Sequence, residues 1–313
     1  MGDALLTRER HEIRKTAAAA VASGEIHQTP DGNAGYYSGL EAAATNDPIN
    51  MATDGQVVVP KTASVAILDG GKVYWDHSAN AANFKPVIDR DFYIGTAVGD
   101  AAAADTTMTV NLNVEPVYAV ELGDGDWTTE ATLGLGVTEL VGGSIVKAEF
   151  DAVAEAAQAA IYPAKTFAAA ANPIFECKMG IFDIGDDAAL DINCGLANAT
   201  HATDADSITE SCFVHFDGAA LDILAESDDG TTEVAATDTT VNAVDDTYFE
   251  AWIDCRDLTD IQIYIDGVLV LGGTTFKLNA ASGPLFPILH VEKTSNDTTA
   301  DVRLEFMRVR TQE

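Results

Sequence analysis

Basic side chains are scarce in this sequence: 17 Lys and Arg stand against 50 Asp and Glu over 313 residues, a formal charge of −33. Nucleic acid is therefore excluded as an expected partner, because binding it relies on Lys and Arg displacing counterions at the phosphates. No apolar run approaches the roughly 18 residues a membrane helix needs, so no membrane association is expected. The N-terminus has no apolar stretch followed by a small-residue cleavage site, and Sec-type export is not expected. Met1-Gly-Asp opens like a myristoylation signal, but no second lipid or polybasic signal accompanies it. Cysteine is limited to Cys177, Cys194, Cys212 and Cys255, with no CxxC pair, which argues against zinc. Each lies in or beside an apolar run, so buried free thiols are the leading reading and disulfides the alternative. Also missing are GxSxG, a P-loop and a GxGxxG between strand and helix.

What the chain has is acid and β-forming residues. The acidic excess adds self-repulsion that salt screens, which fits a saline habitat or simply an acidic extracellular surface. The exception is the first fifteen residues, where Arg8, Arg10, Arg14 and Lys15 outnumber the acids. That local reversal marks residues 1–30 as an arm, with these four basic side chains as candidate contacts to an acidic partner surface.

Five β-like runs follow: Gln56-Val-Val-Val-Pro, Ala63-Ser-Val-Ala-Ile-Leu, Lys72-Val-Tyr-Trp-Asp, Phe92-Tyr-Ile-Gly-Thr-Ala-Val and Thr107-Met-Thr-Val-Asn-Leu-Asn. Met108, Val110 and Leu112 alternate with polar residues, so one face of the last run is buried. No helix-length segment separates the runs to make a parallel crossover, and a compact antiparallel module over 31–113 is expected. From 114 to 313 the strand signals continue, among them Tyr248-Phe-Glu-Ala-Trp-Ile-Asp and Val302-Arg-Leu-Glu-Phe-Met-Arg-Val-Arg. In the last of these Val302, Leu304, Phe306 and Val309 read as inward, with a bulge hinted at Met307. Asp266-Gly267 is a strong hairpin signal. The Ala-rich stretch Val153 to Ile161 alone reads as helical. The fold class expected is all-β: a small N-terminal β-barrel followed by a larger β-sandwich of jelly-roll type.

The runs Gly71-Lys-Val-Tyr-Trp-Asp, Ile94-Gly-Thr-Ala-Val and Ala104-Asp-Thr-Thr-Met-Thr-Val-Asn-Leu-Asn resemble the phage capsid decoration or cement family. That resemblance implies a small barrel seated on the outer surface of a virion, bound to the major capsid protein and commonly trimeric. Phe175-Glu-Cys-Lys-Met-Gly-Ile, Ile263-Tyr-Ile-Asp-Gly-Val-Leu-Val and Arg303-Leu-Glu-Phe-Met-Arg-Val make the second half similar to concanavalin-like and laminin-G-like sandwiches. A sandwich of that kind admits a glycan partner, so a carbohydrate-binding adhesin is the alternative function. The pattern is uninformative about ligand.

No catalytic, metal or cofactor residues are expected. Retaining glycosidases need two carboxyls about 5 Å apart, and Glu250, Asp254 and Asp266 have no partner at that spacing along the chain. Asp183, Asp186, Asp187 and Asp191 surround a Gly turn and read as a solvated loop, with calcium as the lesser reading. Tyr248, Trp252 and Tyr264 read as core rather than a glycan platform. The six histidines are scattered, none at metal-ligand spacing.

Overall fold

The computed structural model describes residues 12–123, 127–131, 135–140, 145–185, 190–218 and 220–311. The chain divides into two units, Met1–Val117 and Tyr118–Glu313. Both are antiparallel β structures.

In the first unit, a four-stranded sheet runs in the order Glu12–Thr16, Pro48–Ala52, Ala34–Tyr37, Ile26–Gln28. The described part of the arm segment thus contributes two strands, and Arg14 and Lys15 lie in register with Asn50 and Ile49. Arg8 and Arg10 lie outside the described residues. Ala17, Val21, Ile49 and Met51 fill the core of this sheet.

The second sheet of the unit is five-stranded, in the order Gln56–Pro60, Thr107–Leu112, Phe92–Val98, Lys72–Asp76, Ala81–Asn83. Four of the five expected runs are strands here. Ala63 to Leu68 instead forms turns, with a single bridge from Ile67 to Ala101. As the alternation requires, Met108, Val110 and Leu112 are buried. The expected barrel does not close. Its two edge strands are linked only by one bridge from Lys61 to Ala82, since Ala81–Asn83 is short and Pro60 has no N–H to give a ladder.

Asn113 ties the two sheets of this unit together. Its φ of 56° is one that Asn tolerates better than most residues. Its side chain accepts from the Ala34 N–H at 2.8 Å and donates to the Ala34 and Thr53 carbonyls at 2.9 and 2.7 Å. Asn113→Ala is expected to destabilise the unit by about 2–3 kcal/mol, the sum of lost hydrogen bonds and left-handed strain. Urea unfolding followed at Trp75 would check this, and a loss under about 0.5 kcal/mol would show the linkage to be unimportant.

The second unit is a sandwich. One sheet is ordered Leu135–Leu140, Ile145–Phe150, Ala300–Arg310, Ile174–Asp183, Thr247–Asp254, Gln262–Ile265, Val268–Val270. The other is ordered Trp127–Ala131, Glu155–Pro163, Pro284–Asn296, Asp191–Ala197, Glu210–Asp217, Asp222–Asp229, Glu233–Asn242. Phe175, Cys177, Met179, Ile192, Cys194, Val214, Phe216, Ile253, Leu289 and Leu304 are among the apolar residues that fill the space between them. All four cysteines are free and buried. The Cys194 thiol is raised well above its ordinary pKa by the neighbouring Cys177 thiol and by burial, so it is held protonated.

Three local expectations change. The Ala-rich stretch is a strand, Glu155–Pro163, whose Ala157, Ala159 and Ile161 face the core. Tertiary packing overrides helix propensity there, since small side chains let the opposite sheet approach. In the final strand the bulge falls at Glu305: Lys178 pairs with Phe306 but Met179 pairs with Leu304. Beyond it the facing reverses, so Met307 and Val309 enter the core while Phe306 stays out. Trp252 is buried, but its strand neighbours Ala251 and Ile253 are the ones that face the core, and it packs on Tyr264 on the opposite side. The Asp266-Gly267 signal holds, with both residues at positive φ between the paired strands.

Candidate functional site

Polar side chains occupy the face of the second sandwich sheet turned away from the core. Cross-strand register places His290, Asn193 and His215 side by side on three adjacent strands, and Glu292 opposite Asp191 in the next row. Glu226 comes from the following strand, opposite Phe213. The connection 198–209 supplies Asp204 and Asp206. Asp204 caps the short helix Ala205–Ser207, accepting from the Asp206 N–H at 3.0 Å and the Ser207 hydroxyl at 2.7 Å. Ala205 and Ile208 of that connection pack on Phe213, Phe286 and Ile288 of the same face.

His215 is 2 % exposed and sits between carboxylates. Its Nε2 is 3.1 Å from Asp191 Oδ1 and its Nδ1 is 3.2 Å from Glu226 Oε2, although neither contact has the angles of a good hydrogen bond. Burial opposes a charged imidazole, but the two carboxylates override it and push the His215 pKa up to about 11. With a carboxylate at each ring nitrogen, this histidine is an imidazolium. His290 is the opposite case. Its Nε2 lies 3.0 Å from the His201 carbonyl and must donate to it, so Nδ1 carries the lone pair. That lone pair faces Glu292 Oε2 at 3.4 Å, a contact that is favourable only when a proton or another cation lies between the two.

Five carboxylates therefore gather around one charged histidine, and no Lys or Arg ion pair reaches them among the described residues. Burial pushes Glu226 up to about 7 and Glu292 up to about 9, the latter helped by the charges of Asp191, Asp204 and Asp206. Asp191 is also raised, first by burial. An open cleft of about 260 Å³ adjoins the cluster, lined in part by Asp206, Ser211, Glu226 and Glu233.

Sequence reasoning missed this site. Of the residues around the expected acidic loop, Asp186 and Asp187 lie outside the described residues, and Asp183 accepts from the Gly185 N–H and the Thr299 hydroxyl. Of the described residues there, Asp191 alone joins the cluster. Glu250, Asp254 and Asp266 are placed elsewhere: Asp254 pairs with Arg256, and Asp266 accepts from the Glu250 N–H in the hairpin turn. Tyr248 and Phe182 stack edge to face, apart from Trp252 and Tyr264.

In the first unit, residues 7–112 match a family model, and the match begins and ends inside that unit. The family is the phage cement proteins. The cement-like unit thus carries Arg8, Arg10, Arg14 and Lys15 within the matched span. A comparison with curated proteins finds no match in sequence. Among solved structures, the chain is similar to the carbohydrate recognition domain of Emp47p at 9 % identity and a TM-score of 0.45, covering 62 % of this chain and 94 % of that one. A carbohydrate esterase of the Shiga toxin-encoding bacteriophage phi24B aligns at 15 % identity and a TM-score of 0.40, covering 63 % and 99 %. The alginate lyase AlgAT5 aligns at 13 % identity and a TM-score of 0.40, covering 58 % and 84 %.

Proposed function

We propose that this chain is a decoration protein of a tailed virus that binds the major capsid protein lattice on the outer surface of the shell and stabilises it. The observation that carries the reading is the cement-family match, confined to one compact unit. A protein that binds the assembled shell better than free subunits stabilises the shell by mass action. Engagement as a homotrimer would multiply that affinity through effective concentration. The edge strand Gln56–Pro60, paired on one side and carrying exposed Val58, offers a surface for contacts between copies. The basic residues Arg8, Arg10, Arg14 and Lys15 are the proposed capsid contacts, and the sandwich projects outward. The role is non-enzymatic: in the sandwich cluster, Asp191 and Glu226 are engaged with the same imidazolium rather than free to act as an acid and a base on a bond between them.

Adding the purified protein to particles stripped of it tests this reading. Shells should withstand a higher temperature before releasing DNA, and the gain should shrink when the four basic residues are changed to Gln. Particles that bind none of the protein, or bind it with no change in the release temperature, would contradict the proposal.

A further inference from the structure

The sandwich cluster gathers five acidic side chains around one charged histidine. Asp191, Asp204 and Glu292 each present one carboxylate oxygen, and these oxygens lie within 4.8 Å of one another. A single Ca²⁺ bonds oxygen at about 2.3–2.6 Å, so ligands on opposite sides of it are separated by about that span. Three buried acceptors of the cluster have no hydrogen-bond partner: Asn193 Oδ1, Glu292 Oε2, and His290 Nδ1, which faces that Glu292 oxygen at 3.4 Å. Asn193 and His290 are wholly buried, and the Asn193 amide is fixed in the cluster by donating to Asp191 Oδ1 at 2.8 Å and Asp206 Oδ1 at 3.3 Å. An unpaired buried acceptor is costly, and a cation bound among several of them offsets that cost.

We propose that Asp191, Asp204 and Glu292 form a binding site for a hard divalent cation, of which Ca²⁺ is the best fit. All three ligands are oxygens, and they come from two adjacent strands and the connection 198–209. A second group, Asp191, Asp206 and His215, is also close enough to surround an ion, but His215 has a carboxylate at each ring nitrogen and no lone pair to offer. That sets this second group aside and leaves the all-oxygen set, beside which His290 Nδ1 faces Glu292 Oε2 at 3.4 Å. Binding would pin the connection 198–209 to the sheet through Asp204.

The test is calorimetric titration of Ca²⁺ into the full chain after chelator treatment, with amide hydrogen exchange on the same protein. The expected dissociation constant is about 10⁻⁵–10⁻³ M. Asp204→Asn and Glu292→Gln should each weaken binding at least tenfold, while Asp257→Asn, at an exposed carboxylate elsewhere in the unit, should not. Ca²⁺ should also slow exchange in residues 198–209 of the unmodified protein, a readout that needs no variant to fold. Absence of binding at 5 mM Ca²⁺, binding that both variants leave unchanged, or binding that leaves exchange in 198–209 unaltered would each overturn the assignment.

Discussion

Glu176→Ala is expected to cost the sandwich about 3–5 kcal/mol, enough to lower its melting temperature by about 10 °C. The carboxylate is 4 % exposed and holds two arginines at once. Arg308 Nε donates to one oxygen at 2.7 Å, and Arg310 donates to the other through Nη2 at 2.6 Å and Nε at 3.0 Å. Arg308 is further held between the rings of Phe306 and Tyr118. Removing Glu176 takes from two buried guanidiniums the carboxylate they share, which costs more than the pair itself contributes. Burial alone would raise the Glu176 carboxyl, but Arg310 and Arg308 outweigh it and hold the carboxyl below its ordinary range. A depressed carboxyl contributes stability above its unfolded pKa, near 4.3, and loses it as pH falls through the folded value. The unmodified protein should therefore lose this contribution only below about pH 4, and the variant should lack it at every pH above that. Denaturant titrations at pH 7 and pH 3 measure both effects. A difference at pH 7 below about 1 kcal/mol would mean the arginines find other partners.

Much of the fold is legible in the sequence because period-two alternation is a local property. Met108, Val110 and Leu112 declare their face without reference to any other strand, and Asp266-Gly267 declares its turn. Where the reading failed, the deciding contact was distant. Nothing near Ala157 or Ala159 shows that a second sheet packs on them, so helix propensity dominates the local signal. The bulge in the last strand was visible as a break in alternation, but its position at Glu305 is set by the pairing with Lys178 and Met179. Barrel closure depended on whether two short edge strands meet, which no local pattern encodes.

The cluster on the sandwich face was the least legible feature. Its members fall into three pairs two residues apart, Asp191 and Asn193, Asp204 and Asp206, and His290 and Glu292, with His215 and Glu226 alone, and these pieces are far apart along the chain. Asp191-Ile-Asn193 and His290-Val-Glu292 put polar residues at alternate positions of antiparallel strands, which marks the face turned away from the core but is the ordinary pattern of such a sheet. Only the register that places His290, Asn193 and His215 in one row turns those alternations into a site. The cement-family likeness was legible for a different reason, since the runs that carry it lie inside one contiguous unit.

The division of labour between the units predicts the larger functional effect. A chain ending at Val117 should still attach to particles, whereas residues 118–313 alone should lose attachment entirely, because the cement-family match lies wholly within the first unit. The most direct measurement is a reconstruction of virus particles carrying the full chain beside particles carrying the chain ending at Val117. Both maps should show the first unit seated on the outside of the capsid lattice around local threefold positions, with the density of the sandwich missing from the second. A map with no density for this chain on the capsid, or attachment that survives in residues 118–313 and is lost in the chain ending at Val117, would contradict the account.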